Sequence, residues 1–308
     1  MHKVFITGGA GCIGYAAAKY FKKQGFDVVT YDIIPVPNVV DKHVVGTIMY
    51  TDEMYKAMIG CDCVLHLAAQ LGVARTEANR VDCMNINITG TKNVLDACVH
   101  AGIKVVGFAS SSEVYGEPEK NPVTETDRVC PKSVYAVSKI AGEEYVRAYK
   151  QRYGLDFVIL RFFNAYGPGQ VAEFVVPRFV DAVLKGRPPV VYGDGKQTRC
   201  YCHVDDTAQG IYLALTSNKA SQQVFNIGND QTTISVKELA VRVIELSGKS
   251  LEPVFVQLDA SDRSKEREIY ERIGSFEKAK KLLGFNPLIG LEQGLKNVLT
   301  EGVRQGWA

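Results

Sequence analysis

Apolar residues in the first half of the chain fall into short runs separated by longer stretches with helical spacing. Residues 4–7 form the first run and residues 13–24 the first helical stretch; a second run, 28–31, stops at Asp32. Residues 63–67 and 105–109 repeat the theme, with a helical stretch at 87–101 between them and Ser110-Ser111-Ser112 closing the later run. A further helix carries Tyr135 and Lys139 on to about residue 153, and residues 157–161 make the next run. These runs are apolar at successive positions, which suits strands buried on both faces. The pattern therefore predicts a parallel sheet covered by helices, an α/β fold.

The texture changes after about Asn164. Glycine and proline become frequent, as in Tyr166-Gly167-Pro168-Gly169 and Gly186-Arg187-Pro188-Pro189, and residues 262–272 are densely charged. Residues 1–165 are expected to form the sheet domain. Residues 166–308 are expected to form a smaller mixed α/β lobe over the carboxyl edge of the sheet, where such folds bind ligands, with some segments returning to the first domain.

Composition narrows the functional classes. The chain has 308 residues, 46% of them hydrophobic, and a formal charge of +2. That balance, without a long basic run, argues against nucleic acid or an anionic membrane surface as partner. No apolar stretch is long enough to span a bilayer, and no signal peptide precedes residue 4, so a soluble cytoplasmic protein is expected. Of the eight cysteines, the pairs Cys61/Cys63 and Cys200/Cys202 have one residue between them. Zinc sites usually show two to four, so neither a structural metal nor a disulfide is expected.

The first apolar run leads into Thr7-Gly8-Gly9-Ala10-Gly11-Cys12-Ile13-Gly14. Gly8, Gly11 and Gly14 stand where a dinucleotide-binding turn needs a tight bend, a close approach to a pyrophosphate and close helix–strand packing. The N-terminus of the following helix offers N–H groups to phosphate. Asp32 closes the second strand, where a carboxylate accepts hydrogen bonds from a ribose 2′-OH and repels a 2′-phosphate. NAD is therefore the expected cofactor.

Tyr135 and Lys139 lie four residues apart, on one helix face. An ammonium beside a phenol favours its ionised form, so the Tyr135 pKa is expected to fall from the usual ~10. A phenol needs such help before it can take a hydroxyl proton at neutral pH.

These motifs, in order, resemble the extended short-chain dehydrogenase/reductase family and its nucleotide-sugar epimerase/dehydratase branch. The likeness runs from the glycine turn through His66-Leu67-Ala68-Ala69, Asn85-Ile86-Asn87, Ser110-Ser111-Ser112-Glu113-Val114-Tyr115-Gly116, Tyr135…Lys139 and Arg161-Phe162-Phe163-Asn164. It continues through Arg199…His203-Val204-Asp205-Asp206 to Phe225-Asn226-Ile227-Gly228. The resemblance implies a Rossmann-type doubly wound parallel sheet. It implies that Ser111 and Tyr135 meet the reacting sugar hydroxyl, with Ser112 beside them, and that Lys139 holds the nicotinamide ribose. Cys12, Ile13, Ile33, Leu67, Ala68, Ala69 and Asn87 would complete the NAD site; Asn164, Arg199 and Arg267 would hold the nucleotide diphosphate of the sugar substrate. A homodimer paired through helices is implied as well. Two departures stand out: Thr47 occupies a place that is usually acidic, and Tyr15 follows the third glycine where a small residue is common.

The shared first step of the branch is oxidation of a sugar hydroxyl, usually at C4. A 4-epimerase then reduces the 4-keto sugar from its other face, whereas dehydratases and decarboxylases proceed to C5 and C6. Ser112 replaces the aspartate of one dehydratase type, and Tyr135-Ala136-Val137-Ser138-Lys139 with the short C-terminal lobe looks more like the 4-epimerases. Glu113 is shared with other dehydratases and with decarboxylases and keeps the alternative open. His66 reads as a structural histidine.

Overall fold

The fold is described by a computed structural model for residues 1–36, 40–257 and 269–303. Seven strands form the central sheet: β1 (Lys3–Thr7), β2 (Asp27–Asp32), β3 (Lys42–Val45), β4 (Cys63–His66), β5 (Val105–Ser111), β6 (Asp156–Phe162) and β7 (Gln223–Ile227). Their order is β7-β6-β5-β4-β1-β2-β3, and every pair is parallel.

Successive side chains on a strand face opposite sides. Val4 and Ile6 belong to one core and Phe5 to the other. The first core packs against α1 (Cys12–Lys23), through Ala16, Ala17, Ala18 and Phe21. The second packs against α2 (Thr51–Met58), α3 (Gly90–His100) and α4 (Val134–Tyr153), through Met54, Met58, Val94, Leu95, Val146 and Tyr149. This is the doubly wound sheet that the apolar runs require. Residues 204–216 form a helix that packs with α1, and through Ala208, Ile211 and Leu215 it contributes to the first core.

The helix expected at 87–101 begins earlier. Helical residues start at Arg80, pass through a π-helical turn at Asn85–Thr89 and continue into α3. Such turns are rare in helices and frequent at functional sites. β3, whose few apolar positions are partly exposed, and the short helix α2 have no counterpart among the elements expected from the sequence.

Beyond β6, short strands and helices build a lobe with its own core, including Val176, Phe179, Val183, Val191, Leu239, Val243 and Leu295. Within it, Thr198–Cys200 pairs with Thr233–Ser235 and with Glu271–Arg272. β7 leaves the lobe to join the edge of the central sheet beside β6. Among the described residues, no helix is long and apolar enough to cross a membrane. All eight cysteines are free thiols.

Candidate active site

A cavity of about 670 Å³ opens where the loops after β1, β4, β5 and β6 meet the lobe. β1 is followed by β2 on one side of the sheet and flanked by β4 on the other. This reversal of strand order is where doubly wound sheets leave a crevice.

Gly8, Gly11, Cys12, Ile13 and Gly14 line one end of the cavity. Gly8 has φ +72°, and a Cβ there would lie 2.8 Å from the backbone nitrogen of Ala68. At Gly14 a Cβ would lie 2.0 Å from the carbonyl oxygen of Gly8. The backbone therefore comes close only because side chains are missing. α1 starts at Cys12, and no side chain caps it, so its N-terminal dipole is directed to the cavity. Asp32 Oδ2 accepts the Ala10 N–H at 2.9 Å, which braces the glycine turn against the end of β2. Leu67 and Ala69 add apolar wall.

Four residues expected in the NAD site do not line the enclosed cavity. Asp32 and Ile33 sit at the tip of β2; Ile33 is exposed. Ala68 supplies the backbone against which Gly8 packs, and its N–H donates to Thr7 Oγ1. Asn87 is buried in the π-helical turn. Its Oδ1 accepts the Gln70 N–H at 2.7 Å, and its Nδ2 donates to the Gln70 carbonyl at 3.0 Å and to Ser138 Oγ at 3.0 Å. Asn87 thus fastens the loop after β4 to α4 without facing the cavity itself.

Ser111, Ser112, Glu113, Tyr135 and Lys139 come together on the opposite wall. β5 ends at Ser111, whose Oγ accepts the Glu113 N–H at 3.2 Å and lies within hydrogen-bonding reach of the Tyr135 phenol. Ser133 caps α4: its Oγ accepts the Ala136 N–H at 3.1 Å and donates to Glu113 Oε2 at 3.1 Å. Lys139 is buried one turn beyond Tyr135, its Nζ 5.6 Å from the centre of the Tyr135 ring and donating to the Ala109 carbonyl at 2.8 Å. Burial pushes the Lys139 pKa down to about 8.

The Tyr135 phenol departs from expectation: its pKa is raised, not lowered. Burial is the larger cause and the Glu113 carboxylate adds to it, while the Ser111 hydrogen bond works the other way. The ammonium's hydrogen bond goes to a backbone carbonyl, and a carboxylate that spacing along one helix could not reveal faces the phenol. His66 plays the structural part expected of it. Its ring nitrogens meet Thr7 Oγ1 at 2.8 Å and Thr91 Oγ1 at 3.0 Å. Burial, with some help from the Lys139 charge, holds its pKa down at about 3.

The lobe closes the far side. Asn164 has φ +32°, and its buried Oδ1 has no hydrogen-bond partner among the described residues, an arrangement that suits a bound polar group. Arg199 is buried and lines the cavity, donating to the carbonyls of Thr198, Tyr270 and Ile269 at 2.8, 3.2 and 2.6 Å. Arg272 stands opposite Arg199 on the paired strand, equally buried and also lining the cavity. Arg178 lines it too, its guanidinium 4.9 Å from the Tyr192 ring centre. Three arginines thus line one cavity, and a guanidinium suits a bidentate hold on phosphate oxygens. Arg267 lies outside the described residues. Sequence reasoning missed Arg178 and Arg272, and also Glu77 and Lys132 in the cavity wall. Arg272 becomes visible only through its strand register with Arg199.

The glycine cradle, the uncapped helix terminus and the braced Asp32 fit NAD. When bound, NAD supplies a reversible two-electron acceptor beside Tyr135 and Lys139.

Comparison with known proteins agrees with this geometry. Residues 4–228 match the family model described as the NAD dependent epimerase/dehydratase family. A putative UDP-glucose 4-epimerase of Methanocaldococcus jannaschii is 33% identical, over 96% of this chain and 97% of that protein. A UDP-N-acetyl-α-D-glucosaminuronate decarboxylase of Bacillus cytotoxicus is also 33% identical, over 96% of both chains. The NAD complex of the UDP-glucose 4-epimerase of Thermus thermophilus superposes with a TM-score of 0.88 at 30% identity, covering 97% of this chain and 98% of that one. With its Ser–Tyr–Lys wall facing a glycine cradle for NAD, the chain belongs to the NAD-dependent epimerase/dehydratase family.

Proposed function

We propose that this protein is a nucleotide-sugar 4-epimerase. The observation that carries the reading is one cavity lined both by Ser111, Tyr135 and Lys139 and by the arginines Arg178, Arg199 and Arg272. The arginines, with Asn164, suit a diphosphate, which would present the attached sugar to Tyr135. In this reading Ser111 hydrogen-bonds the C4 hydroxyl and Tyr135 accepts its proton as C4 is oxidised to a ketone. Tyr135 returns the proton when the ketone is reduced from its opposite face. Lys139 fixes the ribose of the cofactor and, as an ammonium, stabilises the phenolate.

Two features support epimerisation over later chemistry. Ser112 stands where one type of dehydratase carries an aspartate. Glu113 is already engaged by Ser133 at the start of α4, a positioning role that epimerisation allows. A second reading, dehydration or decarboxylation through the same 4-keto sugar, draws on the presence of Glu113 in the cavity wall close to Tyr135. We further propose a cytoplasmic homodimer paired through helices such as α4, which leaves Val137 and Tyr153 exposed.

The test is product analysis in D2O with neutral and acidic nucleotide sugars. The 4-epimer without deuterium at C5 is expected from wild type, with turnover largely kept in Glu113→Gln. A 6-deoxy-4-keto product labelled at C5, or a pentose formed with release of CO2, would replace this reading by the second.

A further inference from the structure

A buried ion pair lies directly behind the Ser111–Tyr135 wall. Glu143 follows Tyr135 and Lys139 at the same four-residue spacing, on the same face of α4. Its carboxylate is gripped by both arms of Arg161 on β6: Nε donates to Oε1 at 2.9 Å and an Nη to Oε2 at 2.8 Å. Both side chains are almost fully buried, 4% and 6% exposed. Arg161 stands opposite Ser110 in the β5–β6 register, and Ser110 Oγ donates to the same Glu143 Oε1 at 2.6 Å. The other Nη of Arg161 donates to the Tyr115 hydroxyl at 2.9 Å, and that hydroxyl donates to Asn226 Oδ1 on β7 at 2.7 Å. On the outer side, Arg147 approaches Glu143 at 3.7 Å.

This network meets α4 at the point that matters for chemistry. Lys139 binds the carbonyl of Ala109, Glu143 binds Ser110, and Tyr135 meets Ser111. Ala109 and Ser110 at the end of β5 are thus held by residues on successive turns of α4, and Ser111, next in line, stands beside Tyr135 one turn earlier. A Cβ on Gly142 would lie 2.2 Å from the Phe108 ring, so the helix also lies tightly against the strand. A buried ion pair of this kind adds little net stability over a well-packed apolar pair, yet it fixes geometry through directed, bidentate bonds.

We propose that Ser110, Glu143 and Arg161 are positioning residues that set the approach of the Tyr135 phenol to the Ser111 hydroxyl. The proposal rests on Tyr135 as the proton acceptor but not on whether epimerisation or C5 chemistry follows. Ser110→Ala removes the link from strand to carboxylate and leaves the ion pair whole. It is expected to lower kcat about tenfold, as small misplacements of reacting groups do, with KM and NAD affinity within about twofold of wild type. Ser110→Thr, which keeps the hydroxyl, is expected to restore most of the rate.

Glu143→Leu combined with Arg161→Met separates positioning from folding. An apolar pair of similar volume often preserves stability, so this variant is expected to keep its melting temperature while losing kcat. Wild-type kcat in Ser110→Ala would overturn the proposal. So would wild-type kcat in a folded double variant, or a loss of activity in Ser110→Ala that tracks the unfolded fraction. If the double variant does not fold, Ser110→Ala decides alone. Full turnover in Tyr135→Phe would instead remove the reading of Tyr135, a result the other variants cannot mimic.

Discussion

The two ends of the cavity are built by different means. At the glycine end the wall is mostly backbone: Gly8 and Gly14 let the turn pack closely by lacking side chains, and the α1 terminus contributes its dipole. At the lobe end it is side chain, with Arg199 and Arg272 brought face to face by strands more than seventy residues apart in the chain. A backbone cradle tolerates almost no added atom. A side-chain clamp divides its work among several groups and should yield one contact at a time.

Tyr135→Phe tests the place where the two ends meet. Removal of a general acid–base group costs about 10²–10⁴-fold in rate. Steady-state kinetics should show a fall of that size in kcat, with NAD and substrate binding both kept. Gly14→Ala breaks the cradle alone: the added methyl would lie 2.0 Å from the Gly8 oxygen and 2.9 Å from the Gly9 Cα, both backbone atoms. Overpacking of about 1–3 kcal/mol translates into about 5–150-fold weaker NAD binding, measurable as cofactor lost on gel filtration. Arg272→Met should do the reverse, weakening the nucleotide sugar about tenfold, as loss of a charge-assisted hydrogen bond does, while NAD stays bound. Equal effects of the last two variants on both ligands would dissolve the comparison.

The same division decided what the sequence disclosed. The glycine turn, Asp32 and the Tyr135–Lys139 spacing are local patterns, and each lies where the strand and helix order puts it. The apolar runs likewise foretold β1, β2, β4, β5 and β6, but not β3, which is short and half exposed, nor β7, which joins the sheet from the lobe. What stayed hidden depends on contacts between distant segments. Arg272 lies in a charged stretch and gains meaning only opposite Arg199. Asn87, expected at the cofactor, also joins Gln70 to Ser138 through its amide, a link between the loop after β4 and α4 that no local pattern announces. The raised Tyr135 pKa comes from burial and Glu113, neither of which is visible in a four-residue spacing.

The last effect concerns stability and appears only on acidification. The native protein keeps His66 neutral, its pKa held at about 3, while the unfolded chain binds a proton near pH 6.5. The stability that neutral His66 contributes is complete above pH 6.5 and lost on acidification towards pH 3, at about 1.4 kcal/mol per pH unit. Urea unfolding of His66→Gln across that range should show a shallower acid-side slope than wild type.

The fate of the hydrogen on C4 tests the central claim most directly. A nucleotide sugar deuterated at C4, turned over by the NAD-loaded protein and examined by NMR, should yield the 4-epimer with the deuterium still at C4 and the configuration inverted. Deuterium found at C6, or retained at C4 with unchanged configuration in a product that has lost its C6 carbon, would contradict the account.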